Sequence, residues 1–285
     1  MRDDDLIKYP RTPHFEGSRL QNGDQGDDRL LASDLAGRFI VAEEKMDGAN
    51  CGISFSPDGE LRLQSRGHFL TGGAREKHFN LLKEWAVCHE EMLFDRLSDR
   101  YIMYGEWMYA KHSMFYNALP HYFLEFDLYD KKEGYFLSTA KRQQVLGQAP
   151  IVSVPIWYQG IAPSDPLFLS SLIVSSVGRD PQWKTDLKQV SQHRSLDYTK
   201  IEQQTDFEEQ AEGLYIKIEE GDRVIGRCKF VRSSFTQTLL DQGTHWHKRP
   251  IVPNQLREGQ DIYAPTIDRT WPKIAPPSLT MRRKR

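Results

Sequence analysis

An α+β fold built on antiparallel sheets is what this sequence predicts, and three observations predict it. Short segments of alternating apolar residues recur along the chain. Most of them are joined by tight polar turns. Amphipathic helical stretches fall between groups of strands rather than after every strand, which argues against a parallel βαβ layout. The 285 residues suffice for one large core or two modest ones, and 39% hydrophobic with 27% charged residues is the composition of a globular protein.

The first strand group comprises residues 38–44 (RFIVAEE), 51–56 (CGISFS) and 61–66 (LRLQSR). Pro57-Asp58-Gly59-Glu60 links the second and third as a turn in which Gly59 takes a positive φ. Residues 75–97 carry Phe79, Leu82, Trp85, Ala86, Cys88, Met92 and Leu93 at the spacing of an amphipathic helix. RYIMYGEWM (100–108) and HYFLEFDLYD (121–130) read as further strands, and STAKRQQVLGQ (138–148) as a helix capped by Ser or Thr. Residues 150–205 predict a strand at IVSVPIWYQ followed by polar helices. EGLYIKIEE (212–220) and RVIGRCKFV (223–231) form a hairpin about Gly221-Asp222, and SSFTQTLLDQ (233–242) predicts a last helix. The expected division is a body over 1–243, its first 37 residues wrapping the core as loops, and a proline-rich basic appendage over 244–285.

Composition excludes several function classes. No apolar run reaches the ~18 residues of a membrane span, and the start, MRDDDLIKYPRTPHF, lacks a signal-peptide core, so an intracellular, cytoplasmic protein without membrane contact is expected. Cys51, Cys88 and Cys228 are too scattered for a zinc site or a disulfide framework and are expected as buried thiols. Neither a P-loop nor GxGxxG is present. With 38 Lys and Arg against 40 Asp and Glu, net charge −2, any phosphate binding must come from a local basic groove.

The chemistry-bearing stretch is Glu44-Lys45-Met46-Asp47-Gly48-Ala49-Asn50. A lysine between a strand and a glycine-containing turn becomes a nucleophile when a partly dry pocket or a nearby cation lowers its pKa. Taken alone, the pattern also describes a surface Lys-Asp turn. It is joined in order by Ser65-Arg66-Gly67, Tyr104-Gly105-Glu106-Trp107, Tyr122-Phe123-Leu124-Glu125-Phe126-Asp127, Glu212-Gly213-Leu214-Tyr215-Ile216-Lys217 and Arg227-Cys228-Lys229-Phe230. These six segments resemble motifs I, Ia, III, IIIa, IV and V of the covalent nucleotidyltransferases, the superfamily of DNA ligases, RNA ligases and mRNA capping enzymes.

The resemblance implies a nucleotidyltransferase domain of ATP-grasp-like type, ATP and Mg²⁺ (or Mn²⁺) as cofactors, and a role for each matched residue. Lys45 is the nucleophile towards the α-phosphate of ATP. Lys229 and Arg227 complete the catalytic set by neutralising phosphate. Glu44, Arg66, Glu106, Phe123, Lys217 and Lys229 bind ATP together with Lys45, with Glu106 on the ribose and Phe123 stacked on adenine. Glu212 holds the metal.

Two features narrow the branch. Only 55 residues follow Phe230, short for the OB-fold that follows motif V in DNA ligases and capping enzymes. Asn50 matches an asparagine that RNA ligases place near the RNA end. The chain is therefore similar to ATP-dependent RNA ligases of the phage duplex-RNA nick-sealing type, which act on RNA 5′-phosphate and 3′-OH ends, here expected as a monomer. Arg227 departs from the usual Lys-x-Lys of motif V. A DNA ligase, a GTP-using capping-type enzyme or an inactive RNA-binding module are the alternatives. His68, His78 and His112 have no metal-ligand spacing.

Overall fold

The computed structural model describes residues 6–20, 29–235 and 250–273. It contains two mixed but mainly antiparallel sheets. The first orders its strands as β10 (Ile156–Ile161), β3 (Phe39–Glu44), β11 (Gly213–Glu220), β12 (Arg223–Val231), β1 (His14–Phe15) and β2 (Arg29–Leu30). The second runs β5 (Leu61–Ser65), β4 (Ala49–Phe55), β6 (Tyr101–Trp107), β7 (Phe123–Asp130) and β8 (Tyr135–Phe136), with β9 (Val152–Ser153) beside β7. β1–β2, β1–β12 and β7–β9 are the parallel pairs.

Each sheet buries its outer face under helix. On the second sheet, Ile53, Met103 and Trp107 pack with Leu82 and Trp85 of α2 (Asn80–Cys88) and Leu93 and Leu97 of α3 (Glu90–Leu97). The single helix expected over 75–97 is instead a 3₁₀ turn (Ala74–Phe79) and two helices. They break at His89, whose φ −115 and ψ 19 are not helical. On the first sheet, Ile40, Ala42, Ile216 and Cys228 pack with Leu169, Leu172 and Ile173 at α5 (Phe168–Ser171). α1 (Ala32–Leu35) adds Leu35 to the same cluster. α4 (Thr139–Leu146) begins at Ser138, whose side chain accepts from Lys141 N–H.

The stretch from 163 to 211 forms a helical insert before β11. In it α6 (Trp183–His193) and α7 (Tyr198–Gln203) bury Trp183, Leu187, Val190 and Ile201 against Phe115 and Val252. Residues 250–273 have no helix, yet they are laid along the body. Asn254 Nδ2 donates to Met108 O (2.6 Å) and Trp271 Nε1 to Ser153 O (2.8 Å). Most of the helix expected at 233–242, and the basic end at 281–285, lie outside the described residues. Cys51 and Cys228 are buried thiols, whereas Cys88 is exposed. Among the described residues no helix is long and apolar enough to cross a membrane.

The inner faces of the two sheets meet through ions and aromatic rings. Buried Arg142 pairs with Glu43 (2.8 Å) and Glu125 (3.2 Å), and buried Lys217 with Glu43 (2.9 Å) and Asp127 (3.2 Å). Tyr9 packs edge-on to Tyr104, Phe126 and Phe136 and donates its hydroxyl to Asp127 (2.5 Å). Where these contacts stop, the sheets part and a cleft opens.

Candidate active site

The cleft, about 680 Å³, sits where β3 ends and β11 begins. These strands are antiparallel neighbours with Glu44 opposite Leu214, so the residue after one and the residue before the other are forced together. Lys45 N–H donates to Gly213 O (3.0 Å), and Lys45 Nζ lies 2.7 Å from Glu212 Oε1. Burial works to lower the Lys45 pKa, but the Glu212 carboxylate outweighs it and leaves the ammonium favoured. Glu212 is pushed up to about 7 by burial, against the pull of Lys45. Its Oε2 is buried with no hydrogen-bond partner.

The turn after Lys45 is clamped from behind. Asp47 Oδ2 accepts from Ser113 and Met114 N–H, both at 2.6 Å, and Asp47 N–H donates to the Tyr116 hydroxyl (3.0 Å). The motif I aspartate therefore fixes the turn through the 113–116 loop. Gly48 follows because no side chain fits: a Cβ there would stand 2.7 Å from Met108 Sδ and 2.9 Å from Glu106 Cγ. β4 then pairs Asn50 with Glu106 of β6, and both line the cleft. Burial pushes Glu106 up to about 8, with Lys45 opposing and the Glu212 and Asp47 carboxylates adding to it.

The structure brings together Lys45, Asn50, Arg66, Glu106, Glu212 and Lys229, all of which line the cleft. Arg66 is exposed at its mouth, on the turn after β5. Lys229 lies on β12, where its N–H donates to Pro13 O (2.9 Å).

Three expected ligands lie off the cleft lining, and a fourth turns its carboxylate away from it. Phe123 is fully buried, stacks on Trp85 (ring centroids 5.5 Å) and belongs to the core rather than to the cleft lining. The β6–β7 ladder slips by one residue between Tyr104↔Asp127 and Gly105↔Glu125, which leaves Phe126 as the extra, bulged residue. A bulge re-aims its side chain, and half-buried Phe126 lines the cleft. Lys217 is 1% exposed and turned into the ion network between the sheets, off the cleft lining. Arg227, on the same strand face as Lys229 but two residues back, lies over the rings of Phe136 (4.0 Å) and Tyr9 (5.2 Å) and near Asp127 (3.7 Å). Glu44 borders the cleft, but its carboxylate accepts from Val177 N–H (3.3 Å) in the helical insert, because strand alternation puts it opposite Glu43. Burial pushes this carboxylate up to about 7.

Tyr9, Thr12, Val154, Tyr215 and His112 also line the cleft, residues to which the sequence assigned no role in the site. Truncating the two aromatic side chains separates core from site. Phe123→Ala is expected to cost about 3–5 kcal/mol in chemical denaturation. Phe126→Ala, which removes a half-buried ring, is expected to cost clearly less and instead to weaken nucleotide binding measured by calorimetry.

Residues 38–231 match the RNA ligase family. That span is more than half of the chain and contains all six motifs. The chain belongs to the RNA ligase family. Solved structures of Naegleria gruberi RNA ligase are similar to it. One of a mutant with ATP and Mn has 15% identity and a TM-score of 0.47, covering 70% of this chain and 52% of that one. Another with ATP and Mn has 13% identity and a TM-score of 0.48, covering 80% of this chain and 61% of that one. This family member thus spans about half the length of the first of these. No curated protein matches it.

Among the described residues no group of three His, Cys, Asp or Glu is arranged to hold a metal. The orphaned Glu212 Oε2 nonetheless fits a hard cation. Mg²⁺ commonly takes one or two carboxylates and completes its shell with water and substrate phosphate.

Proposed function

We propose that this protein is an ATP-dependent RNA ligase that joins a 3′-OH to a 5′-phosphate through lysyl-AMP and RNA-adenylate intermediates. The observation that carries the reading is the Lys45–Glu212 pair at 2.7 Å, set at the end of a cleft that also presents Lys229, Glu106, Arg66 and Asn50. ATP and manganese accompany the similar Naegleria enzyme, and the same cofactors suit this cleft.

Lys45, once deprotonated, attacks the α-phosphate. A P–N bond forms and the bond to pyrophosphate breaks. An oxygen of the RNA 5′-phosphate then attacks the same phosphorus, the P–N bond breaks, and the amine returns to Lys45. Finally the RNA 3′-oxygen, having lost its proton, attacks the activated 5′-phosphate and AMP leaves. Lys229 offsets the charge that gathers on the α-phosphate. Glu106 accepts from the ribose hydroxyls, and Phe126 offers a flat face to adenine. Asn50, with both a donor and an acceptor, holds the RNA end without adding charge. Glu212 would hold a divalent cation, which when bound supplies charge neutralisation to the triphosphate.

Mass spectrometry after incubation with ATP or GTP and Mg²⁺ tests the reading. An AMP adduct on the Lys45 peptide is expected, followed by sealing of nicked RNA. A GMP adduct, or sealing of DNA alone, overturns it. Glu212→Gln, nearly isosteric, is expected to slow AMP attachment by about 100-fold or more, the scale of one lost preorganised electrostatic contact. A divalent-metal titration unchanged by the substitution would remove Glu212 from the metal role.

A further inference from the structure

The cleft that holds Lys45 is poor in positive charge. Its lining has three Lys or Arg (Lys45, Arg66, Lys229) against six carboxylates. This lining alone offers a polyanion few cations to hold it. A second groove, about 580 Å³, has the opposite balance: Arg62, Arg100, Lys131 and Lys132 against Asp99.

The two openings share one face of the second sheet. Strand alternation puts Asn50 and Ser54 on one side of β4, and Glu106 and Ile102 on the same side of β6. The first of each pair lines the cleft and the second the groove. Between them the Ile7 carbonyl accepts from Gln64 Nε2 (2.9 Å) and the Tyr104 hydroxyl (2.7 Å), tying the N-terminal segment across the face. A single hairpin borders both. Gln64 pairs with Phe69, and Leu70 N–H donates to Leu63 O (2.8 Å). The hairpin's tip, Arg66-Gly67-His68, lines the cleft, while Arg62 and Phe69 of its stem line the groove.

We propose that this groove binds a single RNA strand running out of the cleft along the hairpin, an inference that rests on the RNA-ligase reading. Arg62, on β5, and Arg66, on the turn that follows it, are four residues apart, at most about 13 Å at ~3.3 Å per residue. That is roughly four nucleotides of a stacked strand at ~3.4 Å each. The Arg62 guanidinium lies 6.0 Å from the centre of the half-buried Phe69 ring, a cation beside an aromatic face. Grooves that bind single strands combine such a ring for a base with cations for the backbone. A duplex keeps its bases stacked inside and would leave that ring unused. Arg100 is pinned by Asp130 (2.6 Å), which fixes it at the groove wall. Lys132 is exposed and, among the described residues, has no hydrogen bond or ion pair from its ammonium, so its charge is available to a phosphate.

The test is fluorescence anisotropy of labelled 3-mer and 12-mer oligoribonucleotides at several salt concentrations, with wild type, Arg62→Ala and Lys132→Ala. Neither residue belongs to the adenylation machinery, so AMP attachment to Lys45 should match wild type and serves as the control for folding. Each substitution is expected to weaken the 12-mer by about tenfold and to flatten the log–log salt slope by about 0.7, the loss of one phosphate contact. The 3-mer, which reaches only the cleft, should bind unchanged. Should Arg62→Ala disturb folding, Lys132→Ala decides, since it removes only a solvated side chain. If the variants bind the 12-mer as wild type does, or lose 3-mer and 12-mer alike, the groove is not the RNA path. If wild type binds neither RNA, the ligase reading falls with it.

Discussion

Replacing Lys45 by alanine is expected to abolish AMP attachment completely while leaving a folded protein. The side chain stands at the end of β3, 26% exposed, and pairs with Glu212. Its backbone N–H bond to Gly213 O does not depend on the side chain. The Glu212 carboxyl, already pushed up to about 7 by burial, would lose the cation that opposes this and take up a proton, which limits the cost of the missing charge. Intact-mass measurement after incubation with ATP should show no adduct. Thermal unfolding followed by circular dichroism should keep a single cooperative transition. The variant should still seal a pre-adenylated RNA, because the last step needs no lysyl-AMP. An adduct persisting in Lys45→Ala would place the nucleophile elsewhere.

Lys217→Met is expected to act in the opposite manner, on the fold first. The ammonium is 1% exposed, bridges Glu43 and Asp127, and donates to Phe126 O. Around it three carboxylates (Glu43, Glu125, Asp127) face three cations (Lys217, Arg142, Arg227), and the charges cancel. Burial works to raise Asp127, yet Lys217 and Arg227 outweigh it and hold this carboxyl below its usual range. Deleting one cation leaves an uncompensated buried charge, a loss of about 3–5 kcal/mol. That is a large part of the ~5–15 kcal/mol that separates most folded domains from unfolded chain. A urea titration should show the unfolding free energy falling by that amount, seen as a lower midpoint at unchanged slope. A phosphate ligand at the cleft would instead leave the midpoint in place and change only nucleotide affinity.

Much of the fold was legible because β-strands announce themselves by alternation. RFIVAEE, RYIMYGEWM, EGLYIKIEE and RVIGRCKFV all became strands at or within two residues of the expected limits. The helix over 75–97 was legible as an apolar stripe but not as two helices, since the break at His89 leaves that stripe nearly intact. In the site, Lys45 and Glu212 were readable as motif residues. Their 2.7 Å contact follows from two antiparallel strands ending side by side, which no local pattern records.

By itself, then, the sequence determined the strand and helix types, the family motifs and the residues able to do the chemistry, because side-chain alternation and residue type are local properties. Tertiary structure decided which of those residues face the cleft. One bulge in β7 put Phe126 in the cleft and left Phe123 against Trp85. One step of two residues along β12 kept Lys229 in the cleft and sent Arg227 onto Phe136. Two buried carboxylates, Glu43 and Asp127, hold Lys217 in the ion network between the sheets. The physical reason is common to all three: a side chain's direction depends on ladder register and on which charges the second sheet buries opposite it, and both are set by residues far away along the chain.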